Sequence, residues 1–187
     1  LGGATALLPI FARDLLHVGP WGLGLLRAAP GIGALLMSAL LTRWPVEDQA
    51  GSKLFVAIVV YGLATVIFGV STSFWVSMVA LAITGAADMV SIVVRSTLVQ
   101  LETPDHMRGR VGAVNSVFIG ASNQLGEFES GAVAAAIGPV GSVIVGGIGS
   151  IVVAGLWWQG FPQLARRDRL VPTCLLYTSP SPRDGLL

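Results

Sequence analysis

The stretch QLETPDHMRGRVGAV, residues 100–114, places five ionisable side chains between two long apolar runs. The chain as a whole is 53% hydrophobic and only 11% charged, whereas soluble domains have about 25% charged residues. A soluble protein distributes charge over its whole surface, because most of that surface faces water. Charge gathered into short strips therefore indicates that most of this protein's surface does not face water.

Six apolar blocks recur along the chain, and all but the first are 17 to 27 residues long. About 20 helical residues cross the 30 Å hydrocarbon core of a bilayer. Backbone amides in lipid must bond within their own segment, so the blocks should be helices. The roughly ten-residue alternating segments of a membrane barrel do not occur. The sequence predicts an all-α polytopic membrane protein with helices at approximately 1–12 (partial), 21–42, 54–70, 74–94, 111–137 and 140–158.

The positively charged residues are distributed unequally between the connections of these blocks. Segments 43–53 and 95–110, together with everything after Trp158, contain nine lysines and arginines. The opposite connections contain Arg13, with Arg27 just inside the next helix. Cytoplasmic loops carry the excess of Lys and Arg, so the quoted strip and the C-terminus are expected on the cytoplasmic side, in a bacterial inner membrane.

Both ends of the sequence suggest a gene fragment. The chain begins at Leu1 inside an apolar run, so residues 1–170 are expected to form a membrane bundle whose first helix is truncated. Residues 171–187 are expected to be a non-native or disordered tail. Within it, CLLYTSPSPRD, residues 174–184, resembles the translation of a transposase sequencing adapter. The alternative for this segment is a disordered tail rich in Ser and Pro.

Several kinds of chemistry have no signal in the sequence. No Walker lysine loop, HExxH helix or GxSxG elbow occurs, and no strand precedes the glycine pairs. His17 and His106 are expected on opposite sides of the membrane, so they cannot share a metal ion. A net charge of +1 without a basic, aromatic-rich tract gives no indication of nucleic-acid binding. We predict no enzyme, no cofactor and no metal site.

Polar residues between 112 and 130 lie on one side of a helix. With 100° between successive residues, most of them fall within about 160°, opposite a Val/Phe/Leu face that lipid can contact. The polar side should therefore face a bundle or an aqueous cavity. Its candidate pathway residues are Asn115, Asn123, Glu127 and Glu129. The asparagines are alternatively helix–helix contacts, and the glutamates alternatively line a cavity without titrating, with Glu127 favoured for a direct role.

The preceding helix contains an aspartate within its apolar block. Asp88 lies six residues inside the block's cytoplasmic end, and Arg95 follows two turns later on the same face. An aspartate near mid-membrane costs about 2.5–3.5 kcal/mol on insertion scales, so it needs a partner or water. Asp88 is either a structural hydrogen-bonding group or a protonatable group of a transport cycle. Arg27 could pair with either glutamate or extend to the interface, and pairing is favoured.

Two segments rich in glycine interrupt the apolar blocks. RAAPGIGALL contains Pro30, Gly31 and Gly33 within one helical turn, where proline bends a helix and glycine permits close approach. Such interrupted helices mark the moving elements of some transporters, but they are also ordinary kinks. GGIGS, residues 146–150, predicts tight helix packing.

Three segments resemble the major facilitator superfamily of transporters. TPDHMRGRVGAVNS, residues 103–116, is similar to the cytoplasmic loop between its tenth and eleventh helices. LPIFARDLL with GLGLLRAAPGIGALL resembles the seventh and eighth helices of the branch that includes the bacterial enterobactin exporter and macrolide efflux proteins. SNQLGEFESG, residues 122–131, is similar to the eleventh helix. The resemblance covers residues 1 to about 170.

This resemblance implies the C-terminal six-helix bundle of a twelve-helix transporter, with an N-terminal half as its partner across a central cavity. It also implies a small-molecule substrate and, in many exporters, coupling to protons. Cationic side chains would brace the cytoplasmic helix ends against carboxylates, as a latch for one state. The segment TRWPVEDQAGSK departs from the family's loop, although Glu47 and Asp48 could still supply the carboxylate of a second latch. The latch candidates are Arg108, Arg110, Asp105 and Arg43.

The leading hypothesis is a secondary transporter that exports a small amphipathic molecule, such as a drug or siderophore, in exchange for protons. A second hypothesis is a membrane scaffold or receptor-like protein that uses the same fold without transport. A third hypothesis is a half-transporter that works as a homodimer. It is disfavoured because the sequence starts within a helix at a residue other than Met. Six further spans upstream would favour the first hypothesis, and a soluble sensor domain the second.

Overall fold

The computed structural model describes residues 2–44 and 50–160, and these ranges are almost entirely helical and contain no strand. The predicted tail 171–187 and the carboxylates Glu47 and Asp48 lie outside the described residues. The helices in chain order are α1 (Gly2–Ile10), continued by a π-helical segment (Phe11–Leu15), then α2 (Pro20–Arg43), α3 (Ala50–Val70), α4 (Phe74–Glu102), a 3₁₀ turn (Asp105–Met107) and α5 (Arg108–Gly160).

Four helical stretches in the described ranges are long and apolar enough to cross a membrane: Pro20–Arg43, Gly51–Val70, Phe74–Leu101 and Asp105–Gly160. The all-α polytopic membrane fold is therefore confirmed, whereas six spanning helices stay a prediction. Two helices are longer than the apolar blocks that predicted them. The helix α3 begins at Ala50 and not at residue 54, and α4 continues to Glu102 and not only to residue 94. Hydrophobicity marks only the part of a helix that lies in lipid, and the helical hydrogen-bond pattern continues beyond it.

The chain reverses direction within α5. Gly138 has φ 84° and ψ 162°, a backbone conformation that is essentially restricted to glycine, and Pro139 follows it. The Ser142 hydroxyl donates to the Ser130 carbonyl at 2.8 Å, although residues twelve apart in a straight helix lie about 18 Å apart. Two arms, 108–137 and 139–160, therefore fold back on each other. The break lies between the two apolar blocks read from the sequence.

The backbones of α2 and α4 touch at a glycine crossing. A Cβ atom on Gly33 would lie 2.6 Å from the carbonyl carbon of Ala82, and one on Gly85 would lie 2.6 Å from the Cα of Pro30. Both positions therefore exclude a side chain. The close approach expected of RAAPGIGALL occurs at Gly33, while Gly31 is exposed and has nothing within 4 Å of a built Cβ.

A second crossing joins α3 to the arm 139–160. A Cβ on Gly62 would lie 2.7 Å from the Gly147 carbonyl oxygen, and a Cβ on Gly147 would lie 2.8 Å from the Gly62 carbonyl oxygen. Toward the end of the arm, Phe55 and Trp158 pack edge to face with ring centroids 5.2 Å apart. The close packing expected of GGIGS thus occurs at Gly147, which faces α3.

The buried core lies where α1 meets the other helices. Phe11 stacks on Phe68 of α3 with a centroid distance of 4.7 Å, and both rings are fully buried. Leu8, Leu26 and Leu81 are buried in the same cluster. In lipid no hydrophobic driving force acts between helices, so the close van der Waals packing of these side chains is what stabilises the contact. This cluster therefore fixes α1 against α2, α3 and α4.

Large apolar side chains cover much of the outer surface. In the arm 108–137, Val117 is 71% exposed, Phe118 69% and Phe128 73%. Soluble monomers rarely expose contiguous apolar patches larger than a few hundred Å², and lipid is the solvent in which such a face is stable. The protein is therefore a multi-pass membrane protein.

Candidate functional site

A cavity of about 550 Å³ lies between α1, α3 and both arms of α5. Its volume is within the range of about 300–1,000 Å³ that is usual for small-molecule sites. The side chains that line it are partly apolar and partly able to form hydrogen bonds. The lining includes the polar residues Tyr61, Thr65, Glu129, Ser130, Ser142 and Ser150 and the apolar residues Leu7, Ile58, Val133, Val143, Val145 and Val153.

Three hydroxyl groups of the lining already donate their protons to the main chain. Thr65, Ser142 and Ser150 each donate to a main-chain carbonyl oxygen, at distances of 2.8, 2.8 and 3.0 Å. Thr65 and Ser142 are also buried. A hydroxyl has one proton and two acceptor lone pairs, so these oxygens keep only their accepting capacity. The cavity wall therefore offers acceptors in its buried part.

Glu127 and Glu129 are both exposed, and of the two Glu129 lines the cavity. Residues two apart on a helix point about 200° apart, so one helix cannot turn both carboxylates to the same cavity. The sequence ranked Glu127 above Glu129 for a direct role, whereas Glu129 is the one of the two that lines the cavity.

Asp88 lies behind the wall of this cavity, on the neighbouring helix α4. Its side chain is half-buried and interacts electrostatically with Tyr61 of α3, which lines the cavity. Arg95 is exposed two turns further on, and no ion pair joins it to Asp88. Asp88 thus lies within electrostatic range of the Tyr61 phenol and forms no ion pair with the same-face arginine.

The remaining pathway candidates do not meet at the cavity. Arg27, Asn115 and Asn123 are all exposed. The two ion pairs found among the described side chains involve other residues, so Arg27 forms no ion pair with Glu127 or Glu129 there, and its pairing stays a prediction. Nor do three or more His, Cys, Asp or Glu side chains gather as a metal site anywhere in residues 2–44 and 50–160.

An ion pair joins Arg108 and Asp105 within the strip of residues 100–114. Arg108 Nη2 lies 2.9 Å from Asp105 Oδ1, and Arg108 Nε donates to the Thr103 carbonyl at 3.4 Å. Both charged side chains are largely exposed, so the pair contributes little stability. The pair lies at the start of α5, where the strip enters that helix.

The other latch candidates form no ion pair with the side chains that the structure describes. Arg110 and Arg43 are exposed and form no ion pair there. The carboxylates considered for Arg43 precede Ala50 and lie outside the described residues. Of the four latch candidates, the structure brings together Arg108 and Asp105.

Sequence reasoning missed the contribution of α3. Tyr61 and Thr65 are four residues apart in an otherwise apolar block, so they share one helix face. This spacing was a usable signal for a polar strip on α3. Which neighbour the strip faces depends on the crossing with the arm 139–160, which periodicity alone does not give.

Comparisons with known proteins agree with this architecture. A major facilitator family model described as "Transmembrane secretion effector" matches residues 2–169. A curated protein named "Na(+), Li(+), K(+)/H(+) antiporter", from Planococcus maritimus, is 25% identical over 111 residues, which cover 59% of this chain and 26% of that protein. The chain therefore spans about a quarter of the length of the curated relative that it matches. No solved structure matches the chain.

Proposed function

The chain belongs to the transmembrane secretion effector family of the major facilitator superfamily, and from this membership we propose that it is part of a transporter that exports a small amphipathic molecule in exchange for protons. The membership supports membrane transport. The observation that carries the finer proposal is the partly polar cavity with Glu129 on its wall and Asp88 behind Tyr61.

Proton exchange is proposed at Asp88. Its helix is apolar over the span in which the carboxylate lies, and an ionised aspartate there costs about 2.5–3.5 kcal/mol on insertion scales. Protonation removes that cost, so the charge state of Asp88 depends on whether water reaches it. A conformational change that alters water access would therefore bind or release a proton. The name of the curated relative describes exchange of cations for protons, which supports antiport as the class of mechanism.

The rest of the transporter is proposed from the family. A second helical half would pack against the exposed polar side of the arm 108–137, and substrate would cross between the halves. The excess of Lys and Arg supports a cytoplasmic C-terminus and an inner-membrane location. The Arg108–Asp105 pair is proposed to hold the cytoplasmic end in one state, together with Arg110 and Arg43 when the opposing carboxylates come within reach.

The test is transport by the full-length protein. It would be expressed in a host that lacks its own exporters, and inverted membrane vesicles would be assayed for proton-driven uptake of ethidium, Hoechst 33342 and erythromycin. We expect at least one compound to accumulate when a proton gradient is applied. Absence of uptake for every compound, together with a soluble sensor domain encoded upstream, would instead favour the scaffold hypothesis.

The proton step is tested separately with Asp88→Asn. This variant keeps the shape but cannot ionise, so proton-driven accumulation should fall to the level of vesicles without the transporter. Asp14→Asn is the matched control, because Asp14 is exposed in the connection before α2 and pairs with Arg13. If Asp88→Asn accumulated substrate as well as the control did, Asp88 would have no part in coupling.

A further inference from the structure

We infer that the cavity between α1, α3 and the two arms of α5 is a binding site for an organic cation with apolar groups. The inference deepens the proposed function by naming the class of molecule that is transported. It rests on the proposed function only in taking this molecule to be exported. It is derived from the lining of the cavity, namely its free hydrogen-bonding groups, its charge and its walls.

The first observation is the direction of the hydrogen bonds. The protons of Thr65, Ser142 and Ser150 are committed to carbonyl oxygens, which leaves three oxygens able only to accept. An ionised carboxylate such as Glu129 also only accepts. The hydroxyls of Tyr61 and Ser130 on the same lining can still donate, so the three committed oxygens together with Glu129 favour a ligand that donates hydrogen bonds or carries positive charge.

The second observation is the sign of the charge. Glu129 is on the wall, and the carboxyl group of Asp88 lies within electrostatic range of Tyr61, which also lines the cavity. No Lys, Arg or His among the described residues lines the cavity. The cationic side chains of the adjoining helices, Arg27 of α2 and Arg95 of α4, are exposed and form no ion pair with either carboxylate. The negative charge facing the cavity is thus not neutralised from within the described bundle.

The third observation separates an organic cation from a metal ion. The cavity has about 550 Å³ of space and walls that include Leu7, Ile58, Val133 and Val153. A small inorganic ion needs several oxygens within about 2.0–2.6 Å, and apolar walls would leave it partly unligated. An organic cation instead places its apolar groups against these side chains. The ring of Tyr61 adds a face that attracts cations.

The experiment measures binding of tetraphenylphosphonium to the purified full-length protein in detergent by equilibrium dialysis. Glu129→Gln should weaken binding about tenfold or more, since it removes the one carboxylate among the described lining residues. Glu127→Gln is the matched control: it makes the same chemical change two residues away, on an exposed side chain that does not line the cavity, and should change affinity less than about twofold. Equal effects of the two variants would overturn the assignment of the site.

Tyr61 gives a second readout. Tyr61→Phe keeps the ring and should retain most of the affinity, because the attraction comes from the ring face. Tyr61→Ala should weaken binding about threefold or more. If Tyr61→Phe lowered the affinity for tetraphenylphosphonium as much as Tyr61→Ala did, the ring face would not contribute and that part of the inference would fail. Fluorescence-detected gel filtration of each variant establishes that it is folded before binding is measured.

Two further probes test charge and ligand class. Tetraphenylborate has nearly the same shape with a negative charge, and Glu129→Gln should not weaken its association with the protein. Sodium chloride, with choline chloride as the ionic-strength control, should not displace tetraphenylphosphonium selectively. Selective displacement by millimolar sodium would make this an inorganic cation site and overturn the organic assignment.

Binding is measured without transport, so a protein that transports but does not bind the phosphonium refutes this inference and leaves the proposed function intact.

Discussion

Replacing Gly33 by alanine should destabilise the crossing of α2 and α4. The added Cβ would lie 2.6 Å from the carbonyl carbon of Ala82, which is 0.8 Å inside the 3.4 Å at which ordinary contact begins, and it would overlap the carbonyl oxygen. The obstacle is main chain, so no flexible side chain can move aside. The two helices must therefore separate.

The magnitude follows from two opposing contributions. Overpacking of a well-packed interior costs about 1–3 kcal/mol, and a main-chain obstacle places Gly33→Ala near the upper end. Alanine is a better helix former than glycine by about 1 kcal/mol. The net loss in the free energy of unfolding should be about 2 kcal/mol. Gly31→Ala has the same propensity gain without the overlap, since nothing lies within 4 Å of its built Cβ.

Equilibrium unfolding of the full-length protein by sodium dodecyl sulfate in mixed micelles, followed by tryptophan fluorescence, measures this difference. Gly33→Ala should unfold at lower detergent fraction, and Gly31→Ala at the wild-type fraction or slightly above. Adding Gly85→Ala to Gly33→Ala should cost less than the sum of the single changes, because one separation of the helices relieves both overlaps. Indistinguishable midpoints for the Gly33 and Gly31 variants would refute the crossing.

Two other changes test the reversal in α5 by the same unfolding measurement. Gly138→Ala should lower the free energy of unfolding by about 1–3 kcal/mol, because its backbone conformation is strained for any other residue; Gly155→Ala, in a regular exposed part of the helix, should not lower it, and equal losses would contradict the strain argument. Ser142→Ala should cost about 0.5–1.5 kcal/mol, since its hydroxyl joins the two arms at the Ser130 carbonyl. Ser150→Ala breaks a bond within one helix and should cost less, so a larger effect there would show that the bond between the arms is unimportant.

The sequence predicted the fold class well because lipid imposes a simple rule. Uninterrupted apolar blocks must be helical, and the blocks 21–42 and 54–70 correspond to α2 and α3. The helix ends were less predictable. The turns of α4 around Arg95 and Gln100 extend beyond the apolar block and stay helical, since helix formation does not stop where hydrophobicity does. The identity of the crossing glycines was also open, because Gly31 and Gly33 are equivalent in composition and differ only in which face meets α4.

The site was partly predictable for the same reason. Asp88 and Glu129 could be identified because a carboxylate within an apolar block is costly and therefore conspicuous. Tyr61 and Thr65 were inconspicuous, since isolated Tyr and Thr residues are tolerated on any membrane helix. Their role depends on how α3 rotates against the arm 139–160, which is decided by the contact of Gly62 with Gly147. That contact is tertiary, and no local pattern encodes it.

The reversal at Gly138 also has a mechanical consequence. One arm of α5 lies against α1 at Gly3, and the other lies against α3 at Gly62. A connection with a single non-helical residue has no slack, so neither arm can slide or turn without pulling the other. A tilt of α1 during a working cycle would therefore be transmitted to α3 through the two arms of α5.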